Sequence, residues 1–388
     1  MKRSERLNSN GATADRIAIL GGGPIGLACA LLLSARGIRS QLLDARTVED
    51  SAQDRRLLAL SRGTVQVLTG LLGPGFAPMA LIMDVHVSSA GQLGATHLSS
   101  QDFSGNALGA TVWYADLVRA LARAAQAKAD IAIRRPCRVL GLEQRPDSVL
   151  IQVDQAEPVA ATIAINAEGT PAATADAAAA ALLCDLEVQG LAAGTAVERF
   201  TREGPLALLP LPDGAGARDR KSMIWCLDQQ LASERMALSD DQFTRKIQAT
   251  LGPRIGRVVR AGPRSRFPLL PHSRLRLREH RLVYIGNAAQ SLHPVAGQGF
   301  NLGIRDCVCL ADCLAGTPQD PVSALSRYES TRKADRFAIS RLTGALPGLF
   351  AARGAPIAMV RSIALVAFDL VVPARRSLSS VLMFGVRS

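Results

Sequence analysis

Aromatic residues make up only 4% of this 388-residue chain, too few for a surface that grips single-stranded nucleic acid by stacking its bases. Helix-turn-helix, RNP and zinc-ligand spacings are also missing, which argues against nucleic-acid binding of other kinds. No stretch reaches the roughly 18 uncharged apolar residues that a membrane-crossing helix needs. The most apolar one, Pro356–Pro373, is interrupted by Arg361 and Asp369, and reads either as a core helix or as a helix lying on a membrane surface. Acidic side chains are in deficit, 33 against 45 Lys and Arg, for a formal net charge of +12. That balance calls for an anionic partner: an acidic membrane surface, a phosphate-bearing cofactor or nucleic acid. The seven cysteines include no Cys-x-x-Cys pair, and Cys307, Cys309 and Cys313 have no His at ligand spacing. They read as small apolar residues of a reduced protein, so no metal is expected. There is no Ser-His-Asp arrangement and no 20–50-residue repeat. Residues 1–15 lack an apolar stretch and read as a flexible tail, not a secretory leader.

What is present begins at Arg16–Leu20, a short apolar run that predicts a strand. Gly21-Gly22-Gly23-Pro24-Ile25-Gly26 follows, then an Ala- and Leu-rich helix to Arg36, and a second strand, Ser40–Leu43, closed by Asp44. In this strand–turn–helix–strand setting, Gly21 permits a tight turn, Gly23 lets the backbone approach a pyrophosphate, and Gly26 lets helix pack on strand. The helix N-terminus then faces phosphates with free N–H groups and a partial positive charge. Asp44 is placed to accept hydrogen bonds from a ribose and to disfavour a 2′-phosphate. The motif alone leaves NAD and FAD open. A late segment favours FAD: after the apolar run Leu282–Ile285 come Gly286 and Asn287, then His293, Pro294, Gly297, Gln298, Gly299, Phe300 and Asn301 entering a helix. Its glycines and free N–H groups suit a flat ring that gains negative charge on reduction.

Elsewhere, Val65–Leu72, Asp116–Ala127, Asn301–Leu314 and Ser323–Arg341 read as helices. Val149–Val153, Ala161–Ile165, Leu206–Leu211 and Ser222–Leu227 read as strands. The Ala-rich run Ala172–Leu182 reads as a helix or a slack connection. The expected fold is α/β: a Rossmann-like FAD-binding domain, an inserted, mostly antiparallel β-sheet substrate domain and a C-terminal helical part. The boundaries are 16–75, 105–170 and 275–320 for the discontinuous FAD domain, 76–104 and 171–274 for the substrate domain, and 321–388 for the C-terminal helices.

On these motifs the sequence resembles the flavin-dependent aromatic hydroxylases with the para-hydroxybenzoate hydroxylase fold, and within them the ubiquinone-biosynthesis branch. The resemblance runs from about Arg16 to the C-terminus. Asp54-Arg55-Arg56-Leu57-Leu58-Ala59-Leu60 is similar to the family's DxRxxAL segment, which implies that Arg56 lies along the flavin. Arg119 matches a helix position that reaches the cofactor in the family. Glu198–Pro210 resembles a stretch of the substrate sheet, and Gly286-Asn287-Ala288-Ala289-Gln290 followed by His293-Pro294 is typical of the branch. Ala167-Glu168-Gly169 stands where the family usually has Ala-Asp-Gly. The resemblance implies FAD as cofactor and NAD(P)H and O2 as co-substrates. The implied reaction hydroxylates the ring of a polyprenyl phenol by way of a C4a-hydroperoxyflavin. It also implies that His293 and Pro294 lie beside the flavin. His293 is then a candidate proton shuttle or a structural histidine, Pro294 a substrate-lining residue, and Trp225 either a pocket lining or a plain core residue. The expected site is cytoplasmic, peripheral to the inner face of the cell membrane, with other ubiquinone-pathway enzymes as potential partners. The alternatives are a hydroxylase for another ring position or phenol, or a weakened FAD-binding scaffold of that pathway.

Overall fold

The first strand, Ile17–Leu20, is buried at every residue, as a strand covered on both faces must be. It lies at the centre of a six-stranded sheet ordered Arg278–Glu279, Leu282–Tyr284, Ala164–Asn166, Ile17–Leu20, Ser40–Leu43 and Ile131–Arg134. All pairings in it are parallel except that of the outermost strand, Arg278–Glu279. The helix Pro24–Ser34 packs on this sheet and touches three others, Arg62–Leu72, Tyr114–Gln126 and Gln298–Ala315. The arrangement is the Rossmann-like one expected. The computed structural model describes residues 17–90, 95–154, 156–169, 177–212, 219–291, 298–333 and 335–336. The apolar stretch 356–373 therefore lies outside the described residues. Among them, no helix is long and apolar enough to cross a membrane.

A second, seven-stranded sheet is ordered Arg257–Leu269, Ala179–Gln189, Arg220–Asp228, Pro205–Pro210, Thr195–Phe200, Asp84–Ser89 and Ala95–Ser99. It is antiparallel except where Thr195–Phe200 runs beside Asp84–Ser89. The Ala-rich run is neither helix nor slack in its described part. From Ala179 it is an 11-residue strand, fixed by antiparallel neighbours on both sides. One face of this sheet packs on the helices Gln229–Ala237 and Asp240–Leu251.

Trp225 belongs to that helix-covered face. It has no exposed surface and lies in one apolar cluster with Leu182, Leu206, Phe243 and Ile247. That is the place of a core residue. Side chains alternate across a strand, so the opposite face carries its neighbours Ile224, Leu183 and Ala207, which share a register. Leu209, also on that face, packs with Leu57, Leu211 and Trp113. Leu57 and Trp113 come from a small sheet formed by Leu57–Ser61, Gly109–Trp113 and Ala80–Ile82. That small sheet joins the two larger ones, and Thr111 Oγ1 donates to the Pro210 carbonyl across the seam at 2.6 Å.

Candidate cofactor and active site

The glycine turn is built so that no larger residue fits its two ends. Gly21 has φ +100°, and a Cβ there would stand 2.6 Å from the Ala167 carbonyl oxygen. A Cβ on Gly26 would fall 1.9 Å from the Gly21 carbonyl oxygen. Gly23 differs: a Cβ there meets only Tyr114 Oη, at 3.4 Å, so the space in front of it is open to a ligand. Gly23 is also the residue before the helix. It offers no side-chain cap, and Pro24 takes the first helical position. The N–H groups of the first turn are left for an anion.

Asp44 is buried, and its carboxylate accepts hydrogen bonds from the backbone N–H of Gly22 and, at 2.6 Å, of Arg46. It therefore braces the turn from below, with a lone pair on each oxygen left for a ribose hydroxyl. Sequence reading missed the group behind it. Arg135 is buried, lies 3.6 Å from Asp44 Oδ2 and donates to the Arg46 carbonyl at 2.9 Å. Its Cζ would lie 3.0 Å from a Cβ on Gly22. Glu168 stands on the other flank, bonded by Asn166 Nδ2 at 3.3 Å. Burial raises its carboxyl above the usual range, and the Asp44 charge adds to the rise, while the Asn166 bond opposes it.

Arg56 lies over the Tyr114 ring, 5.2 Å from its centre, and Asp54 holds its guanidinium through Nε at 2.8 Å. Through Tyr114, whose hydroxyl faces Gly23, Arg56 is brought to the edge of the glycine turn. Arg119 sits five residues further along the same helix, exposed and paired with Asp116 at 3.3 Å. No described contact ties it to the turn.

The late segment meets the early one at Ile25. Gly286 has φ +57°, and a Cβ there would lie 3.1 Å from Ile25 Cγ2. A Cβ on Gly303 would lie 2.7 Å from Ile25 Cδ1 and 3.2 Å from Gly286 Cα. Two glycine-rich segments, about 260 residues apart in the chain, thus press on one side chain. Asn287 is exposed beside this junction, and its Oδ1 is 4.0 Å from the Cβ position of Gly299. Phe300 is half-buried against the main core. Asn301 is buried and ties the helix to the strand after Arg56: its Oδ1 accepts from Ser61 N at 2.8 Å and its Nδ2 donates to Ala59 O at 3.0 Å. Gln298 opens the helix Gln298–Ala315. His293, Pro294 and Gly297 lie outside the described residues.

Behind the turn at Gly286 is a buried ionic chain that sequence reading also missed. The Gly286 N–H donates to Asp306 Oδ2 at 3.1 Å, and Asp306 Oδ1 accepts from Arg332 Nε at 2.7 Å. Arg336 donates from Nε to Gln290 Oε1 at 2.7 Å and from Nη2 to Ala289 O at 2.9 Å. Burial works against the Arg332 cation, but Asp306 and Asp335 outweigh it and hold its pKa above the ordinary value.

A cradle that a Cβ would fill, an uncapped helix start, a buried carboxylate bonded to the turn and a second glycine turn pressed on the first together fit FAD. The family described as "FAD binding domain" matches residues 15–341. The chain belongs to this FAD-binding family. Among its relatives, it is 28% identical, over a 390-residue alignment, to the ubiquinone hydroxylase UbiL of Rhodospirillum rubrum, covering 94% of this chain and 89% of that one. It is 26% identical to the 3-demethoxyubiquinol 3-hydroxylase of Escherichia coli, over 91% of this chain and 94% of that one. The FAD-binding family's fold is also that of the p-nitrophenol 4-monooxygenase PnpA of Pseudomonas putida. That structure superposes with a TM-score of 0.75 at 15% identity, over 97% of this chain and 100% of that one. FAD is therefore the cofactor, and this member of the family is an FAD-dependent oxidoreductase.

Proposed function

We propose that this protein is a flavin monooxygenase that hydroxylates the aromatic ring of a polyprenyl phenol in ubiquinone biosynthesis, with NAD(P)H and O2 as co-substrates. The observation that carries the reading is the junction at Ile25, where the nucleotide turn and the turn at Gly286 become one site. The near full-length likeness to two ubiquinone-pathway hydroxylases supports the substrate class. Bound FAD supplies the oxygen chemistry, activating O2 once NAD(P)H has reduced it.

This chain's residues supply binding, orientation and shelter. Gly21, Gly23, Pro24, Ile25 and Gly26 hold the pyrophosphate at the helix start, and Asp44 takes the ribose. Arg56 offers its charge from above Tyr114, and Arg119 is assigned to the same cofactor. Gly286 and Asn287, with Gly297, Gln298, Gly299, Phe300 and Asn301, form the flavin end. The apolar sheet face with Leu183, Ala207, Leu209 and Ile224 receives the ring and the start of its tail. Each Å2 of apolar surface so removed from water contributes roughly 25 cal/mol. Pro294 is assigned to the substrate lining by the resemblance. His293 moves a proton to or from the phenol, a task suited to imidazole near neutral pH. The excess positive charge holds the protein at the inner face of the membrane, where such a phenol resides.

Complementation of a hydroxylase-deficient, ubiquinone-less strain tests the reading, with quinone intermediates followed by mass spectrometry. Restored ubiquinone is expected, and the intermediate that disappears names the ring carbon. Soluble, flavin-loaded protein that restores nothing would refute it. NAD(P)H oxidation accelerated by added phenol separates the enzyme from an FAD-binding scaffold.

A further inference from the structure

A leucine left in water on a mobile tip is unremarkable; one held there by a fixed frame invites a partner. Leu275 is 96% exposed, although Arg274 before it and Leu277 two residues after it are bound down. The Arg274 N–H donates to Ala289 O at 3.0 Å, its Nε to Ala288 O at 3.1 Å, and its guanidinium lies 3.7 Å from the centre of the Tyr284 ring. Two residues on, Leu277 is buried and its N–H donates to Glu329 Oε1 at 2.8 Å. His272 and Ser273 pair with Ser291 and Gln290. The loop is thus fastened to the cofactor turn on one side and to the helix over residues 321–333 on the other.

The chain around it is both basic and partly apolar. Residues 264–281 hold six arginines and one glutamate, a net +5 out of the chain's +12. Arg276, next to Leu275, is exposed, and Phe267 at the end of the edge strand is 41% exposed, while Arg266 turns to the helix side and donates to Ser233 Oγ at 2.8 Å. Acids answer much of that charge: Glu279 faces Arg274 at 3.6 Å, and Asp240, Glu329 and Asp147 pair with Arg264, Arg278 and Arg281, whereas Arg276 pairs with no acid among the described residues. Arginines along Arg257–Leu269 guard an edge strand against pairing, which explains Arg260 but not a leucine fully in water.

We propose that the loop around Leu275, with Phe267 and the exposed Arg276, is the surface on which the protein rests on an anionic lipid bilayer. Leu275 and Phe267 enter the interface, and the Arg276 guanidinium meets a lipid phosphate. The choice of lipid as occupant follows from charge complementarity and from position. Because Arg274 is bonded to Ala288 and Ala289, docking here sets the cofactor turn beside the bilayer, where a membrane-held phenol has to enter. The inference rests on the polyprenyl-phenol reading above and gives it a contact surface.

Flotation of the FAD-loaded full chain with vesicles tests it, using phosphatidylglycerol with phosphatidylethanolamine against phosphatidylcholine alone. The protein is expected to float with the anionic vesicles only, and to be released by high salt. Leu275→Asp and Arg276→Glu should each weaken partition at least tenfold. Flavin content and NAD(P)H oxidation with a short, tail-less phenol should stay unchanged in both. A wild-type chain that ignores anionic vesicles, or a Leu275→Asp chain that floats like the wild type, overturns the proposal. Loss of turnover on the short phenol in the wild type would count against the hydroxylase reading instead, and leaves the flotation result to decide the surface by itself.

Discussion

Gly23 and Gly26 separate what a glycine does for a ligand from what it does for the fold. At Gly23 the backbone has φ −69° and ψ −179°, which any residue adopts, and a new Cβ meets only Tyr114 Oη at an ordinary 3.4 Å. Gly23→Val should therefore change the stability of the apoprotein by less than about 1 kcal/mol. Its isopropyl group projects instead into the open space before the helix, so FAD affinity should fall at least about 100-fold, equivalent to about 2.8 kcal/mol. At Gly26 the Cβ would fall 1.9 Å from a backbone oxygen of Gly21 that cannot rotate away. Gly26→Ala must push strand and helix apart, at about 1–3 kcal/mol or more. Thermal unfolding of the two apoproteins, with FAD titration followed by flavin fluorescence, reads both effects. A Gly23→Val protein that loads FAD like the wild type would refute the site. One that is as unstable as Gly26→Ala would refute the division of roles.

Three further outcomes follow from the packing. Asp306→Ala leaves buried Arg332 with Asp335 as its remaining carboxylate and frees the Gly286 N–H. It should cost about 1–3 kcal/mol in urea unfolding and also weaken FAD binding, whereas Asp306→Asn should recover part of both. Burial raises the Glu203 carboxyl, but its bonds to Arg235 (3.0 Å) and Lys246 outweigh this and hold it below the ordinary glutamate value. Its stabilisation is therefore complete above about pH 4.3 and is lost as pH falls through the lowered value. The gap in urea midpoint between wild type and Glu203→Gln should close on acidification; a gap that stays constant would exclude the ion pairs as its source. Cys309 is the half-exposed cysteine, and burial pushes its thiol up to about 12. A thiol reagent at pH 8 should label the native protein slowly and at Cys309 first, all seven reacting at once only in denaturant.

The opening turn was legible because it is local: strand, glycines, helix and Asp44 lie within 28 residues, and each has a propensity that agrees with its neighbours. The strand at Ala179 was not legible, since alanine prefers helix and only its two antiparallel neighbours make it β. Arg257–Leu269 hid for a related reason: Pro263 and Pro268 argue against a strand, yet both are tolerated at the edge of a sheet. Within the site, Asp44 was legible as an acid at a strand end, but its bonds to Gly22 and Arg46 were not. Arg135 and the Asp306–Arg332 pair carry no local signature at all, because the partners meet across 91 and 26 residues of chain.

The strand order of the parallel sheet also sets a timetable for synthesis. Ile17–Leu20 is among the first structured residues made, yet one of its two neighbours is Ala164–Asn166, whose own outer neighbour is Leu282–Tyr284. The Gly286 turn then waits for Asp306, and Asp306 for Arg332. At about 5–20 residues per second, the ribosome works through most of the chain between making the nucleotide turn and making the residues that brace its partner. FAD capture is accordingly one of the last events of folding. Until then the growing chain holds an apolar helix and an unpaired strand edge in the open, for a chaperone or a neighbouring copy to find.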